Sequence, residues 1–233
     1  MTQTRSDLTS EAKTGTGLPP INAADALAPG ATVFIVDDDS SIRRALSRLF
    51  ASVGLRSEAF EGATDFLARA PRDSRGCIVL DIKMPDVTGI DLQRRLIEDG
   101  VELPIIFVTA HADVPLAVRA IKDGAMEVFT KPFDDQALLD AVQKALARDS
   151  DRSRQRLEWS ELRKRYQTLT ARQRSVMDLV VLGHPNKQIA DSLGTSLKTI
   201  KVHRAHVMQR MGADSLADLV RMAVRISAGP HAP

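Results

Sequence analysis

The stretch Cys77-Ile78-Val79-Leu80-Asp81-Ile82-Lys83-Met84-Pro85-Asp86 decides the fold of the first half of the chain. Its four apolar residues predict a buried strand, and the carboxylate of Asp81 follows at the C-terminal end of that strand. Pro85 and Gly89 then break the chain before a helical pattern begins at Ile90. Because ligands of open parallel sheets bind at the carboxyl ends of the strands, Asp81 is either a structural cap on the next loop or a reactive group.

Short apolar runs and helical patterns alternate on both sides of this stretch. Strands are predicted at residues 32–36, 55–60, 78–80, 104–109 and 126–130. An apolar helical pattern follows each strand, and glycines at 54, 100 and 124 end three of these helices. Five strands and five helices in residues 31–149 predict an α/β fold with a five-stranded, doubly wound parallel sheet. Right-handed crossovers would bring all the strand ends to one edge.

Polar residues converge on that edge. Asp37 and Asp38 end the first strand, Asp81 the third and Thr109 the fourth, and Lys131 follows the fifth. Three carboxylates this close need a counter-charge, which Mg²⁺ and the ammonium of Lys131 would provide. The arrangement suits phosphoryl transfer to a carboxylate, with Asp81 as the nucleophile. Thr109 and Lys131 would hold the phosphoryl oxygens.

Four blocks of this region resemble the receiver domain of bacterial two-component response regulators. They are Val36-Asp37-Asp38, Asp81-Ile82-Lys83-Met84-Pro85, Val108-Thr109-Ala110 and Lys131-Pro132-Phe133. The resemblance implies that Asp81 accepts a phosphoryl group from a cognate sensor histidine kinase and that Thr109 is the switch hydroxyl. It also implies that Asp38, Asp81 and the backbone carbonyl of Lys83 ligate Mg²⁺, while Asp37 acts mainly through metal-bound water.

One position departs from that pattern. The family often carries Phe or Tyr three residues before the lysine, where this chain has Val128. The aromatic residue, Phe129, comes one place later and should point to the opposite face of the strand. We therefore expect the signal from Thr109 to travel by backbone and helix displacement rather than by an aromatic flip.

The charge of the chain is unevenly distributed. Residues 31–149 contain 15 Lys and Arg against 20 Asp and Glu, whereas residues 150–233 contain 15 against 7, so the net charges are −5 and +8. This asymmetry indicates that the C-terminal part meets a polyanion. The apolar patterns there predict a helix capped by Thr170, a short helix Lys187–Leu193 capped by Asn186, and a turn at Gly194. A helix capped by Ser196 follows, and a fourth begins at Asp214 or Ser215.

The helix after Ser196 is predicted to enter the major groove of DNA, because it is the second helix of a helix-turn-helix. Ile200, Val207 and Met211 form its predicted buried side. The predicted DNA-binding residues are Lys187, Lys198, Lys201, Val202, Arg204, Ala205 and Gln209. Lys201 could donate to guanine and Val202 could touch a thymine methyl, whereas Lys187, Lys198 and Arg204 would hold phosphates.

Residues 167–228 resemble the LuxR-type helix-turn-helix of NarL/FixJ-type regulators, on the blocks Leu169–Arg172, Asn186–Ala190 and Thr199–Arg204. The resemblance implies binding to double-stranded promoter DNA, control of transcription through RNA polymerase, and a homodimer on phosphorylation. Gln173, where the family usually has Glu, and His184-Pro185 are departures that concern local packing.

The remaining segments complete the expected organisation. Residues 1–30 are predicted to be a disordered tail, 150–166 a helical linker and 229–233 a second tail. With one cysteine and no apolar run of 18 residues, the chain is expected to be cytoplasmic, away from membranes. We expect a regulator rather than a turnover enzyme. The alternatives are a phosphohydrolase of the haloacid-dehalogenase type with Asp37 as nucleophile, and a receiver that works without phosphorylation.

Overall fold

The computed structural model describes residues 30–70, 74–85, 87–110 and 114–230. The predicted tail 1–30 lies outside this part of the chain apart from Gly30, as do the last three residues of the predicted tail 229–233. The first domain is a five-stranded parallel sheet with the strand order β2-β1-β3-β4-β5. The strands are β1 Thr32–Val36, β2 Ser57–Phe60, β3 Gly76–Asp81, β4 Ile105–Thr109 and β5 Glu127–Thr130. The predicted fold class is confirmed.

Five helices cover the two faces of this sheet. They are α1 Ser40–Ser52, α2 Ala63–Arg69, α3 Gly89–Glu98, α4 Val114–Lys122 and α5 Asp135–Gln167. Successive strand residues point to opposite faces, so the strands contribute to two separate apolar cores. Phe34 and Phe107 pack with side chains of α2, α3 and α4 on one face. Ile35 and Ile106 pack with α1 and α5 on the other.

Four predicted strands have boundaries that differ from the structure, although β4 and β5 each begin only one residue later than predicted, at Ile105 and Glu127. β2 begins at Ser57 rather than at residue 55, because the backbone N–H of Leu55 donates to the carbonyl of Phe50 and so closes the end of α1. β3 is longer than the predicted 78–80. Its residues pair with β1 from Gly76 onward and with β4 as far as Asp81, so hydrogen bonding on both sides extends the strand.

The predicted helical linker is continuous with the last helix of the first domain. α5 has 33 residues, which at 1.5 Å per residue makes it roughly 50 Å long. Its first half packs against the sheet through Leu138, Val142 and Leu146. Its last turns lie against the C-terminal domain, where Leu162 and Tyr166 contact the core.

Four more helices form a small all-α domain. They are α6 Ala171–Val181, α7 Asn186–Ser192, α8 Leu197–Met211 and α9 Leu216–Ala228. The predicted caps Thr170 and Ser196 are confirmed, and Ser215 caps α9. Gln173 completes a capping box with Thr170, so this departure from the family pattern still satisfies the start of α6. Ile200, Val207 and Met211 are buried as predicted.

The predicted cap of α7 is wrong. Asn186 is the first residue of α7 and does not cap it, because its side-chain oxygen instead accepts a hydrogen bond of 2.6 Å from Arg204. On α9, Leu216 and Val224 are exposed. Leu219 and Ile226 are the buried residues of that helix. Within the described residues, no helix combines the length and the apolar character needed to cross a membrane.

Candidate functional site

The carboxyl ends of β1 and β3 form an acidic site closed by one lysine. The Nζ atom of Lys131 lies 2.6 Å from Oδ2 of Asp37 and 2.9 Å from Oδ2 of Asp81. Asp37, Asp38 and Asp81 each offer a carboxylate oxygen, and these oxygens lie within 4.8 Å of one another. Side chains up to 94 positions apart thus meet at the edge of the sheet where the sequence predicted them.

Burial and ion pairing have opposite effects on the pKa values of Asp37 and Lys131. Asp37 is fully buried, and burial raises its pKa above the ordinary value although Lys131 and the backbone N–H of Asp39 work in the other direction. Burial alone would lower the pKa of Lys131, but its hydrogen bonds to Asp37 and Asp81 outweigh burial and raise it. Lys131 therefore stays a cation at neutral pH, and an added cation would relieve the excess of negative charge.

The donor set fits a hard divalent cation. Three carboxylates with oxygens this close form the all-oxygen, anionic environment that Mg²⁺ prefers. Asp38 is exposed, so the cluster opens to solvent on one side. A magnesium ion bound there would supply positive charge to anionic oxygens that enter the site.

Arg43 is a residue of this site that the sequence analysis missed. Its Nη1 donates to the backbone carbonyls of Asp37 and Asp38 at 2.7 and 2.9 Å, and its Nη2 lies 3.5 Å from Glu61. The guanidinium therefore holds the acidic loop by its backbone carbonyls. In the sequence, Arg43 is a long basic residue on the first turn of the helix that follows Asp37 and Asp38. Basic residues at such positions are common, so the pattern does not indicate a role.

The loop after β3 folds back tightly onto Asp81. The backbone N–H of Lys83 donates to Oδ1 of Asp81 at 3.1 Å, which orients the carboxylate. Gly89 begins α3 so close to this strand that a Cβ atom there would lie 2.2 Å from the carbonyl oxygen of Asp81. Only glycine fits this approach, which fixes the path of the loop that contains Lys83.

Thr109 lies beside the acidic cluster at the end of β4. It is 2% exposed, and its carbonyl accepts from the backbone N–H of Lys131 at 2.7 Å. Val128 is paired with Phe107, two residues before Thr109, and therefore faces the same side of the sheet as Thr109. Phe129 packs with the core on the opposite face. The predicted separation of the aromatic ring from the threonine is confirmed.

A second candidate surface lies on α8. Lys198, Lys201, Val202, Ala205 and Gln209 are all exposed and lie opposite the buried side of this helix. Lys187, on the preceding helix, is exposed as well. Arg204 differs because it is only partly exposed and its guanidinium is hydrogen-bonded to Asn186, which joins α8 to α7.

Comparison with known families assigns both regions. Residues 33–143 match the family described as the response regulator receiver domain, and residues 167–223 match the luxR family of bacterial regulatory proteins. Nodulation protein W of Bradyrhizobium diazoefficiens is 46% identical over 193 residues, which is 83% of this chain and 85% of that protein. The chain belongs to the DNA-binding response regulators of the FixJ/NarL type.

Two further relatives support this assignment over nearly the whole length. The transcriptional regulatory protein FixJ of Azorhizobium caulinodans is 43% identical and aligns over 85% of this chain and 94% of that protein. The solved structure of the response regulator StyR is 42% identical and superimposes with a TM-score of 0.77, over 84% of this chain and 99% of that one. As a FixJ-type regulator, this chain combines a receiver with a domain that binds DNA to control transcription.

Proposed function

We propose that Asp81 is the phosphoacceptor of this response regulator and that its phosphorylation controls DNA binding by the C-terminal domain. In this proposal the receiver comprises residues 31–149, the linker 150–166 and the DNA-binding domain 167–228. The observation that carries the proposal is the position of Lys131, whose ammonium lies within hydrogen-bonding distance of both Asp81 and Asp37. A haloacid-dehalogenase-type enzyme would instead need Asp37 as its nucleophile, but both aspartates pair with Lys131, and the side chain of Asp37 is 1% exposed against 9% for Asp81.

The chemistry follows from the charges at the site. An oxygen of Asp81 attacks the phosphorus of a phosphohistidine on the partner kinase, so a P–O bond forms and the P–N bond breaks. The histidine leaves as a neutral imidazole after it takes up a proton. Asp37, Asp38, Asp81 and the carbonyl of Lys83 would hold Mg²⁺, which supplies charge to the phosphoryl oxygens. Lys131 and the hydroxyl of Thr109 bind the remaining oxygens, and the protein releases no product in a catalytic cycle.

Phosphorylation would favour a homodimer of receivers. A phosphoryl group adds about two negative charges beside Thr109 and shifts an existing equilibrium between conformations. α4 follows the strand that ends at Thr109, and it exposes Val114, Val118 and Ile121, which are 69, 47 and 46% exposed. An apolar surface on the helix next to the site suits a dimer interface of α4, β5 and α5.

Two C-terminal domains would then occupy two half-sites of a promoter in the cytoplasm. Lys201 and Val202 on α8 read base edges, and Ala205 and Gln209 extend the same face along the groove. Lys187, Lys198 and Arg204 hold phosphates. From such a dimer the regulator would contact RNA polymerase.

Labelling with a small phosphodonor tests the proposed acceptor. The full chain is incubated with acetyl phosphate and Mg²⁺, reduced with borohydride, and analysed by peptide mass spectrometry. We expect the modification at Asp81 and its loss in Asp81→Asn, while the matched control Asp140→Asn, at an exposed site on α5, labels normally. Normal labelling of Asp81→Asn would contradict the proposal. Turnover of a phosphate ester abolished by Asp37→Asn but not by Asp81→Asn would favour the hydrolase.

A further inference from the structure

The C-terminal ends of two helices meet at the junction of the linker and the DNA-binding domain. α5 ends with the cap residue Thr168, and α8 ends with the cap residue Gly212. The last carbonyls of a helix have no partner within it, and the peptide dipoles make this end partly negative. Both ends therefore need donors from elsewhere, and a cation is the most favourable one.

Each of these helices supplies the cation for the other. Arg165, on α5, donates from Nη1 to the carbonyl of Met211 at the end of α8, at 3.1 Å. Arg210, on α8, donates from Nη1 to the carbonyl of Thr168 at 2.5 Å and to Oε1 of Gln173 at 3.2 Å. The two arginines are exchanged between the helices, so neither helix can slide or rotate against the other without breaking a charged hydrogen bond.

The packing around this exchange supports the same geometry. Gly212 adopts a left-handed φ of 68°, and a Cβ atom there would lie 2.8 Å from Nη1 of Arg165, so the absence of a side chain lets the guanidinium approach. Leu162 and Tyr166 of the linker contact the apolar core of the C-terminal domain. One further link is the ion pair of 2.6 Å between Glu158 on α5 and Arg225 on α9.

We propose that Arg165 and Arg210 are positioning residues for DNA recognition: they fix the angle of α8 on the linker helix and so connect movements of α5 to the DNA-reading face. This inference rests on the proposed role of α8 in binding DNA. Because α5 is one continuous helix that packs on the receiver sheet and on the C-terminal domain, a displacement of its receiver half reaches α8 through these two contacts. Neither arginine contacts DNA in this account.

The test measures affinity and its salt dependence together. The probe is a duplex selected by the wild-type chain from a random-sequence library, and the phosphorylated full-length protein is titrated by fluorescence anisotropy at several KCl concentrations. Arg165→Met and Arg210→Met, which remove one and two charged hydrogen bonds at the joint, are each expected to weaken binding at least about tenfold. The dependence of log K on log salt should keep its wild-type slope, because no phosphate contact is lost. Arg165→Lys, which keeps one cationic donor, should restore most of the affinity.

Matched variants separate this role from other causes. Arg163→Met removes the same charge from the same helix, where the guanidinium lies over the ring of Trp159, and should change affinity less than twofold. Lys201→Ala should weaken binding strongly, because it removes a proposed contact with a base edge. If Lys201→Ala binds normally, the DNA-reading role of α8 fails. If Lys201→Ala is defective but both arginine variants bind normally, the coupling fails.

A direct contact of either arginine with DNA would also overturn the inference. In that case the slope would fall by about 0.9 for each lost phosphate contact. Loss of one surface hydrogen bond should lower the melting temperature by only about 5 °C. All variants are therefore compared at a temperature below their melting temperatures. The two arginines lie on different helices, so the loss of affinity measured for Arg165→Met is compared with the loss measured for Arg210→Met.

Discussion

Arg43 determines the shape of the acidic site although it carries none of the chemistry. It binds the carbonyls of Asp37 and Asp38, so its loss should let the loop spread and weaken the binding of a divalent cation. We expect Arg43→Met to lower Mg²⁺ affinity about fivefold, as measured by isothermal titration calorimetry, and to slow labelling by acetyl phosphate.

The neighbouring arginine provides the control for this prediction. Arg44 is exposed and its guanidinium donates to the side chains of Ser40 and Ser41, so Arg44→Met changes the charge equally and leaves the hydrogen bonds of Arg43 to the loop in place. Mg²⁺ affinity that falls equally in both variants would mean that the overall charge, and not the position of Arg43, is responsible.

Asp149, which is not part of the acidic site, is expected to make the stability of the folded state depend on pH. Its side chain accepts from the backbone N–H of Gly76 at 3.0 Å, and burial raises its pKa above the ordinary value despite the hydrogen bond and nearby arginines. Between the ordinary value of 3.8 and the raised one, the folded state holds more protons than the unfolded state, so its stability falls as the pH rises through that window.

Asp149→Asn should remove this dependence and keep an acceptor for Gly76. We expect the variant to be at least as stable as the wild type at pH 7, with its advantage lost near pH 4, in urea unfolding followed across that range. If the stability of the variant relative to the wild type is lower at pH 7 than at pH 4, the expectation is contradicted. The nearby arginines would then favour the ionised form of Asp149 more strongly than burial disfavours it.

At the scale of elements, α4 is tied at one end. Gln93 on α3 is buried, and its Nε2 donates to the carbonyls of Ala120 and Asp123 at the C-terminal end of α4, both at 3.2 Å. The other end of α4 exposes Val114 on the proposed dimer face. Because Val128 cannot act as an aromatic switch, we expect the signal from Thr109 to involve movement of α4.

Gln93→Leu should loosen that tether. Leaving two carbonyls without a donor should cost about 1–3 kcal/mol of folding free energy. The variant should label at the normal rate but dimerise more weakly when phosphorylated, as measured by sedimentation. Gln155→Leu, at an exposed position in the linker segment of α5 and outside the proposed dimer face, is the control. Normal dimerisation of the Gln93 variant would exclude this tether from the signal route.

The sequence predicted features that depend on local pattern and topology. Asp81 and Lys131 were placed at the correct sheet edge because strand ends follow from apolar runs and crossovers have one hand. The start of α7 was wrong because Asn186 bonds to Arg204, 18 positions away. Contacts of Arg43, Asp149 and Arg165 also depend on where the chain returns in space, and residue spacing does not reveal that.

At the scale of the whole molecule, two domains of opposite charge share one helix. The acidic receiver carries the site at one edge of its sheet, and the basic domain presents α8 to solvent. α5 packs on both, with its predicted linker segment forming regular helix rather than a flexible tether. In the proposed function, a phosphoryl signal at Asp81 would reach DNA by dimerisation through α4 and by the direction of α5.

Control of DNA binding by Asp81 is tested by comparing DNA affinity with and without phosphorylation. The full-length wild type and Asp81→Asn are each titrated with the selected duplex, with and without acetyl phosphate and Mg²⁺. Phosphorylation should tighten binding by the wild type at least about tenfold and leave Asp81→Asn at the unphosphorylated level. Equal tightening in the variant, or a wild type that binds equally well in both states, would contradict the claim that Asp81 controls DNA binding.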